Sequence, residues 1–344
     1  MTQTTIATFN LLNLADAGFQ YYPNADPYSS QEYAAKIAWT AAQFDTLRAD
    51  VVLCQEVFSL GALQDCVNAS SWMRGAAVHA PHTDTVNDRG EKLPRLAIVS
   101  RLPIKEWHSH VDLPAMAQIA LPDGTSHTQF SRPVLEAVVD VKGQLLRLFT
   151  VHLKSKRPDW AQNADENDPR AHTQAQLQSL LKRAAEAAGV RELLVSRLWH
   201  TGEPVVIMGD FNDTLHSPTT QLIAATRWKT RERAARDAML YDAWDVSAHH
   251  DLSRNGPMRR DVSYTHVHEG VAEVIDQCLV SEEFAPFSRH QLGYVQRVDI
   301  FNDHLNQRLR GVPGSKTTLS DHGQITVQLH FFEAEPAADG LTKP

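Results

Sequence analysis

Short strand-like segments recur along the whole chain, and this recurrence constrains the fold more than any other feature of the sequence. Each segment is rich in β-branched, aliphatic or aromatic residues and stops at a turn or at polar residues. Because such segments occur in both halves of the chain, the pattern favours two sheets stacked face to face. The segments predicted to be strands are residues 4–14, 51–57, 95–104, 133–141, 145–153, 204–208, 273–281 and 323–331.

Two amphipathic segments between these strands are predicted to be helices. They are residues 31–48 and residues 173–199, with Gly189 at a potential break in the second. Strands and helices together predict an α/β fold, a four-layer α/β sandwich of two stacked, mainly antiparallel sheets flanked by helices. The apolar face predicted for the second helix carries Leu177, Leu180, Leu181, Ala184, Ala188 and Leu194. Long loops are predicted at residues 16–30, 155–170 and 298–320.

The length of 344 residues exceeds that of most single domains, but α/β sandwiches of this size often form one core. Hydrophobic residues make up 42% of the chain and charged residues 22%, which leaves enough apolar surface for a substantial core. We therefore predict a single domain over residues 1–333. Residues 334–344 are expected to form a flexible tail.

The charge and the cysteine content restrict the class of protein. A net charge of −8 with an isoelectric point near 6.1 argues against tight, sequence-independent binding to duplex nucleic acid, which requires a basic face. Three cysteines suggest no disulfide framework. The N-terminus resembles no secretory signal, and no segment is long and apolar enough to span a membrane. A cytoplasmic monomer is therefore expected.

Polar residues at the strand ends are the candidates for chemistry. Asp210 and Asn212 follow the strand at 204–208 and are two residues apart, so both side chains point to one side and can hold the same water or phosphate oxygen. Taken alone, such a Gly-Asp-Phe-Asn-Asp segment is more often a plain turn. Glu56 lies at the end of the strand at 51–57, where a solvated surface charge is an equal interpretation.

Three further positions point the same way. Asp276 interrupts an apolar run, so its carboxylate needs a salt bridge or a histidine that offsets its desolvation. The segment Ser320-Asp321-His322-Gly323 precedes the last strand and forms either an Asx turn or a general base beside a metal ligand. His152, if considered alone, is more often a satisfied core histidine. Together these residues favour a site that binds Mg²⁺, neutralises phosphate charge and orients water.

In chain order, several segments resemble the successive motifs of the endonuclease/exonuclease/phosphatase superfamily, to which deoxyribonuclease I belongs. The resemblance extends over about residues 4 to 331. It implies Mg²⁺- or Mn²⁺-dependent hydrolysis of a phosphodiester by a nuclease or nucleotide-type phosphodiesterase, with a phosphate ester or a nucleic acid as partner. A phosphomonoesterase acting on inositol or lipid phosphates is one alternative, and a catalytically silent binding protein is the other. The segments are TFNLLNL, LCQEVF, LAIVSRLPI, TVHLKSK, MGDFND, SYTHV, VIDQCLVS and LSDHGQI.

The resemblance also implies roles for the matching residues. Glu56 resembles the main metal-binding glutamate, and Asn10 and Asp321 complete the polar cluster close to the ion. Asp210 resembles the aspartate that orients or deprotonates the attacking water. Asn212 resembles the amide that holds this water and a phosphate oxygen. The same comparison leaves open whether Asp210 or a histidine is the general base.

Two histidines and their neighbours complete the implied site. His322 looks like the histidine that stabilises the pentavalent phosphate or transfers a proton, and Asp276 like the carboxylate that fixes its ring. His152 resembles a second, phosphate-contacting histidine. Ser155 matches a serine three residues later in the tyrosyl-DNA phosphodiesterases of this superfamily. Tyr264 matches a position where the family often has an aromatic residue near the scissile group, although packing explains a tyrosine equally well.

Other basic and aromatic residues are candidates for substrate contacts. Arg132 could bind phosphate oxygens through its guanidinium group. A solvated surface charge is the simpler interpretation for most of the remaining basic residues. The cluster that could line a phosphate groove contains Arg297, Arg308, Arg310 and Lys316, and the tyrosines that could stack on a base or sugar are Tyr21, Tyr22 and Tyr28.

Overall fold

Two six-stranded sheets form the centre of the molecule in the computed structural model, which describes residues 2–82, 92–161, 163–225, 236–248 and 263–333. In spatial order, the first sheet contains β15 (Gly293–Phe301), β16 (Gln324–Phe331), β1 (Thr2–Leu14), β2 (Val51–Val57), β4 (Arg95–Ser100) and β3 (Ala77–His79). The second contains β11 (Leu240–Asp242), β14 (Asp276–Ser281), β10 (Val205–Asp210), β9 (Gln144–His152), β8 (Gln129–Val141) and β5 (Ile104–Asp112). Two short ribbons pair β6 (Ile119–Ala120) with β7 (Ser126–His127), and β12 (His266–His268) with β13 (Val271–Glu273).

Each sheet has one parallel pair at its centre, β1 with β2 and β9 with β10. All other neighbours within the two sheets are antiparallel, which confirms the predicted mainly antiparallel arrangement. Strands in a parallel pair end at the same edge of their sheet. The carboxyl ends of the central strands therefore bring the polar residues that follow them close together.

The inner faces of the two sheets pack against each other through aliphatic side chains. Ile6, Leu53 and Ile98 of the first sheet belong to one buried cluster with Leu148 and Met208 of the second. Side chains alternate along each strand, so the opposite faces of the same strands are left for helices to cover. Burial of each large aliphatic side chain contributes roughly 1.5–3 kcal/mol, so this interior holds the two sheets in a fixed relation.

Helices cover both outer faces, which confirms the four-layer α/β sandwich. Ser29 and Glu32 form a capping box at the start of the first helix, and Arg48 ends it in the left-handed conformation with φ 46°. Helices α1 (Ser30–Leu47) and α2 (Leu60–Ala69) lie on the first sheet, α3 (Pro169–Leu198) and α4 (Pro218–Ala224) lie on the second, and α5 (Asp303–Leu309) and α6 (Ser315–Thr318) follow β15.

The long helix α3 buries Leu194 as predicted, but its first half buries a different face from the one predicted. Leu177 and Leu180 are exposed, whereas Gln178, Arg183 and Glu186 are buried. These polar side chains are accommodated because each has a partner elsewhere, such as the salt bridge between Arg183 and an aspartate in the loop after β10. The helix continues through Gly189, where an added Cβ would lie 2.8 Å from a leucine side chain.

Two further segments differ from the prediction. Residues 95–104 contain all of β4, a bend and the first residue of β5 instead of one strand. The loop predicted at 298–320 contains the end of β15 and the helices α5 and α6, which are too short to show apolar periodicity. The single domain over 1–333 stays a prediction, and the tail at 334–344 lies outside the described residues. No helix in the described ranges is long and apolar enough to cross a membrane.

Candidate active site

Asp210, the last residue of β10, lies at the point where the two sheets meet. In the second sheet it is paired in register with His152 of β9 on one side and with Asp276 of β14 on the other. From the first sheet, the Nδ2 of Asn10 on β1 donates a hydrogen bond to the Oδ2 of Asp210 over 3.2 Å. Side chains from four strands and both sheets thus converge on one carboxylate.

Glu56 joins this group through the same asparagine. The Nδ2 of Asn10 donates to the Oε1 of Glu56 over 3.2 Å, and the backbone N–H of Asn13 donates to its Oε2 over 3.0 Å. Glu56 and Asn13 both adopt the left-handed backbone region, with φ values of 62° and 53°. Such conformations are uncommon for residues other than glycine and are concentrated at functional sites.

His322 completes the cluster and is held on two sides. Its Nδ1 lies 2.8 Å from the Oδ2 of Asp276, and its Nε2 lies 3.7 Å from the Oδ2 of Asp210. The backbone N–H of His322 donates to the hydroxyl of Ser320, which in turn donates to the carbonyl of Asn10. The loop between β15 and β16 is therefore tied to β1, and the ring orientation is set by Asp276.

The protonation states follow from burial and neighbouring charges. Burial alone would lower the pKa of His322, but the carboxylates of Asp276 and Asp210 more than offset it and raise that pKa well above the ordinary value. Burial raises the pKa of Asp210 to about 7 against the opposing field of His322, and the charge of Asp276 adds to the rise. Burial holds the pKa of His152 well below its ordinary value. At neutral pH, His322 is thus a cation and His152 a neutral ring.

Asp321 precedes His322 in the chain and is half-buried. Burial disfavours its ionised form, but the positive charges of His322 and Arg308 outweigh burial and lower the pKa of Asp321. Its Oδ1 has no hydrogen-bond partner among the described residues, and neither has the Oδ1 of Asp276. Buried carboxylate oxygens without donors are costly unless a cation binds them.

The composition of the cluster fits a divalent cation. Four carboxylates, those of Glu56, Asp210, Asp276 and Asp321, surround a single histidine cation, and crowded like charges raise each other's pKa. Hard oxygen donors of this kind are the ligands that Mg²⁺ and Mn²⁺ prefer. The ligand atoms of Asp210, Asp276 and His322 also lie within 4.8 Å of one another, so this buried group is a second possible place for an ion.

The remaining predicted residues line the edge of this cluster. The Nδ2 of Asn212 donates to the carbonyl of Leu153 over 2.8 Å, and its backbone N–H donates to the Oδ1 of Asp210. Arg132 donates to the same Leu153 carbonyl over 3.2 Å, and its charge contributes to the low pKa of His152. Asn212 and Arg132 therefore lie on one side of the cluster, next to the end of β9.

Two predicted substrate contacts lie less centrally. Ser155 is half-buried in the loop that follows β9. The backbone carbonyl of Tyr264 accepts a hydrogen bond from Asn302. The neighbouring Thr265 contacts the Asp276 strand, because its hydroxyl accepts from the backbone N–H of Asp276 over 3.1 Å. The tyrosines of the loop after β1 pack together, and the rings of Tyr21 and Tyr28 stack with centroids 5.4 Å apart.

Lys36 on α1 is a residue that the sequence analysis did not identify. Its side chain is fully buried and lies over the ring of Tyr28, with the Nζ 5.8 Å from the centroid. In the part of the chain that the structure describes, this Nζ has no hydrogen-bond partner. Burial lowers the pKa of Lys36 to about 8, although the charges of Asp321 and Glu56 oppose this shift. The signal in the sequence was a lysine in phase with the buried face of the helix.

Comparisons with known proteins identify the family and the fold of this chain. Residues 7–322 match the sequence profile of the Endonuclease/Exonuclease/phosphatase family, and no curated protein matches the chain. A protein of that description from Bacteroides vulgatus is 14% identical, with a TM-score of 0.53 over 96% of this chain and 100% of that chain. The human Nocturnin catalytic domain with bound sulfate is 13% identical, with a TM-score of 0.55 over 96% and 95%. A Bacteroides thetaiotaomicron mannosyl-6-phosphatase is 16% identical, with a TM-score of 0.52 over 95% and 100%. These structures share the fold of this chain.

Proposed function

This chain belongs to the endonuclease/exonuclease/phosphatase family of metal-dependent hydrolases of phosphate esters, and on that premise we propose that it cleaves a phosphodiester bond with water. The supporting observation is the position of Asp210. Its Oδ2 accepts from Asn10 of the facing sheet and lies 3.4 Å from the Nε2 of His152 and 3.7 Å from that of His322. A nuclease or a nucleotide-type phosphodiesterase is the proposed substrate class.

Mg²⁺ or Mn²⁺ is the proposed cofactor, held by Glu56 and Asp321, with Asn10 orienting Glu56. When bound, such an ion polarises a phosphoryl oxygen and offsets the charge that develops there. The alternative group of Asp210, Asp276 and His322 is less suited to an ion. A histidine ligand must be deprotonated, whereas the pKa of His322 is raised well above its ordinary value.

His322 and Asp210 divide the proton chemistry in this proposal. The imidazolium of His322, supported by Asp276, donates a hydrogen bond to a non-bridging phosphoryl oxygen and stabilises the negative charge of the transition state. Asp210 accepts a proton from the attacking water as the bond between water oxygen and phosphorus forms. The bond to the leaving oxygen then breaks, and that oxygen acquires a proton from solvent. A base with a pKa of about 7 is well matched to neutral pH.

The neighbouring side chains position the substrate. His152 stays neutral because burial and the charge of Arg132 hold its pKa low, so its ring can donate a hydrogen bond without adding charge. Asn212 fixes the Oδ1 of Asp210 through its backbone N–H, which keeps the Oδ2 directed at the water. Arg132 and Ser155 are proposed to contact phosphate oxygens on the same side, and Tyr264 to contact the group next to the scissile bond.

Hydrolysis of bis(p-nitrophenyl) phosphate by the whole chain tests the proposal. Activity should require Mg²⁺ or Mn²⁺ and disappear in EDTA, and Glu56→Gln should lose its response to the metal. His322→Ala should lower kcat by roughly two to four orders of magnitude with the fold preserved. Glu192→Gln, an exposed change on the outer helix α3, is the matched control and should behave as the unchanged protein. Activity that persists in EDTA, or in both site variants, would refute the proposal.

A phosphomonoesterase is the second candidate, because one similar structure carries the name mannosyl-6-phosphatase. The same central residues serve both reactions, so the substrate-binding edge must decide between them. Parallel assays on single-stranded DNA, RNA, bis(p-nitrophenyl) phosphate and inositol phosphates discriminate the two. Preferential release of inorganic phosphate from the monoesters would favour the second candidate.

A further inference from the structure

A pocket of about 280 Å³ opens directly beside the candidate active site. Its walls come from the ribbon of β12 and β13 and from the helices α5 and α6, the segment for which the sequence predicted only a loop. We call it the anion pocket. The lining residues that define it are His266, His268, Leu305, Arg308, Lys316 and Asp321.

The anion pocket shares residues with the catalytic cluster. Asp321 belongs both to its lining and to the proposed metal site. His266 forms a β-bridge with His322, and the centroids of the two rings are 4.9 Å apart. A group bound in the pocket could therefore belong to the same substrate molecule as a phosphate held between His322 and the proposed metal ligands.

Two permanent cations form one wall of the anion pocket. The Nη1 of Arg308 donates to the carbonyls of Ser315, Lys316 and Leu319 over 3.3, 3.0 and 2.7 Å, which holds the guanidinium in place. Lys316 follows on α6 with an exposed side chain. Asp321 is the single carboxylate among the lining residues, and a bound metal would neutralise it.

This local charge contrasts with the net charge of −8 of the whole chain. Of the other basic residues in the same segment, Arg297 is already paired with Asp299 over 2.6 Å, and Arg310 lies outside the lining. Arg308 and Lys316 thus remain as a pair of positive charges facing a cavity. Phosphate groups are the ligands that guanidinium and ammonium groups bind best.

We propose that the anion pocket binds a second phosphate group of the substrate, so that preferred substrates carry two phosphates joined by a short linker. Nucleoside bisphosphates and oligonucleotides have this chemistry, whereas a simple diester lacks it. The volume approaches the roughly 300 Å³ at which small-ligand sites begin, enough for a phosphate with part of the attached sugar. The inference rests on the proposed function of the adjoining site.

A matched pair of substrates tests the inference. One is thymidine 5′-(p-nitrophenyl phosphate), and the other is the same ester with an additional 3′-phosphate. The unchanged protein should show a kcat/KM at least about tenfold higher for the ester with the second phosphate, through a lower KM. Lys316→Gln and Arg308→Lys should each reduce this preference severalfold. Arg289→Gln, the same loss of charge at an exposed residue outside the pocket, should leave the preference and both rates unchanged.

A binding measurement separates this inference from the proposed function. In EDTA, without turnover, calorimetry should show thymidine 3′,5′-bisphosphate binding more tightly than thymidine 5′-monophosphate, and Lys316→Gln should reduce the difference severalfold. If neither ester is hydrolysed with Mg²⁺ or Mn²⁺, the proposed function is refuted. The comparison of the two nucleotide affinities still tests whether the pocket binds a second phosphate. Equal affinities for the two nucleotides, or a difference in Lys316→Gln that equals the difference in Arg289→Gln, would overturn the inference. Circular dichroism of each variant confirms that the fold is retained.

Discussion

Replacing Asp276 by asparagine tests the division of roles within the candidate active site. The change keeps an oxygen that can accept a hydrogen bond from the Nδ1 of His322, because aspartate and asparagine have the same shape. It removes the negative charge 2.8 Å from that nitrogen, in a pair whose members are 1% and 6% exposed. The perturbation is therefore electrostatic, and the pKa of His322 should fall.

The size of the effect follows from this contact. A hydrogen bond to a charged group contributes about 1.5–3 kcal/mol, and an ion pair at about 4 Å with an effective dielectric constant near 20 contributes roughly 4 kcal/mol at most. If the imidazolium stabilises the transition state, Asp276→Asn should lower kcat by about 10- to 150-fold, with a ceiling near 10³-fold. The KM should change much less, because the substrate binds mainly through other groups.

The assay is steady-state hydrolysis of bis(p-nitrophenyl) phosphate with saturating Mg²⁺, followed from neutral to alkaline pH. A group with a raised pKa is protonated below that value and loses its proton as the pH rises through it. Activity of the variant should therefore decline at a lower pH than activity of the unchanged protein. Asp140→Asn, at the turn between β8 and β9, is the control. A kcat within about threefold of the unchanged value, together with an unshifted alkaline limb, would refute the role of His322 as a cation.

Three further predictions concern stability and metal binding. Burial would raise the pKa of Glu136, but His110, Arg197 and Arg147 outweigh this effect and lower it to about 2 from 4.5. The free energy of unfolding should therefore fall by about 3 kcal/mol as the pH drops through that window, and Glu136→Gln should flatten this dependence in urea titrations. Gly209→Ala would place a Cβ 2.1 Å from the carbonyl oxygen of Val151 at φ 149°, so it should destabilise the protein by about 3 kcal/mol or more; an unchanged Tm contradicts this. Lys36→Met removes a positive charge whose interaction with Asp321 contributes roughly 1–2 kcal/mol. Mg²⁺ should therefore bind the variant about tenfold more tightly in calorimetry, and equal affinity would exclude an electrostatic coupling.

The strands were largely predictable because their signal is local. Alternation and β-branched residues revealed eight of the strand segments, and these strands with the helices between them predicted the four-layer sandwich. The family was inferred from the resemblance of the motifs along the chain. The short helices α5 and α6 escaped prediction because four to seven residues carry too little periodicity. The polar part of the buried face of α3 was not predicted, because its side chains are paired with residues distant in the chain, as Gln178 is with Asp123.

Lys36 shows why local sequence does not reveal every residue of the site. A lysine on a helix is ordinarily solvated, and nothing near it in the chain identifies Asp321 as a neighbour. Lys36 is buried because α1 packs on the first sheet. The same holds for the anion pocket, whose walls come from residues 266–268 and 305–321.

The sequence by itself determined which residue types stand at the ends of the strands, because alternation and turn chemistry act over a few positions. It placed Asp210, His322 and Glu56 at such ends and ordered them as in a family of phosphate-ester hydrolases. The tertiary structure decided which of these side chains share charge and protons. Asn10 reaches Asp210 across two hundred residues of chain, and only the stacking of the two sheets brings their atoms to 3.2 Å. Electrostatic coupling between charged groups depends on the distance between them in space. The protonation states of the site are therefore determined by the tertiary structure and not by the local sequence.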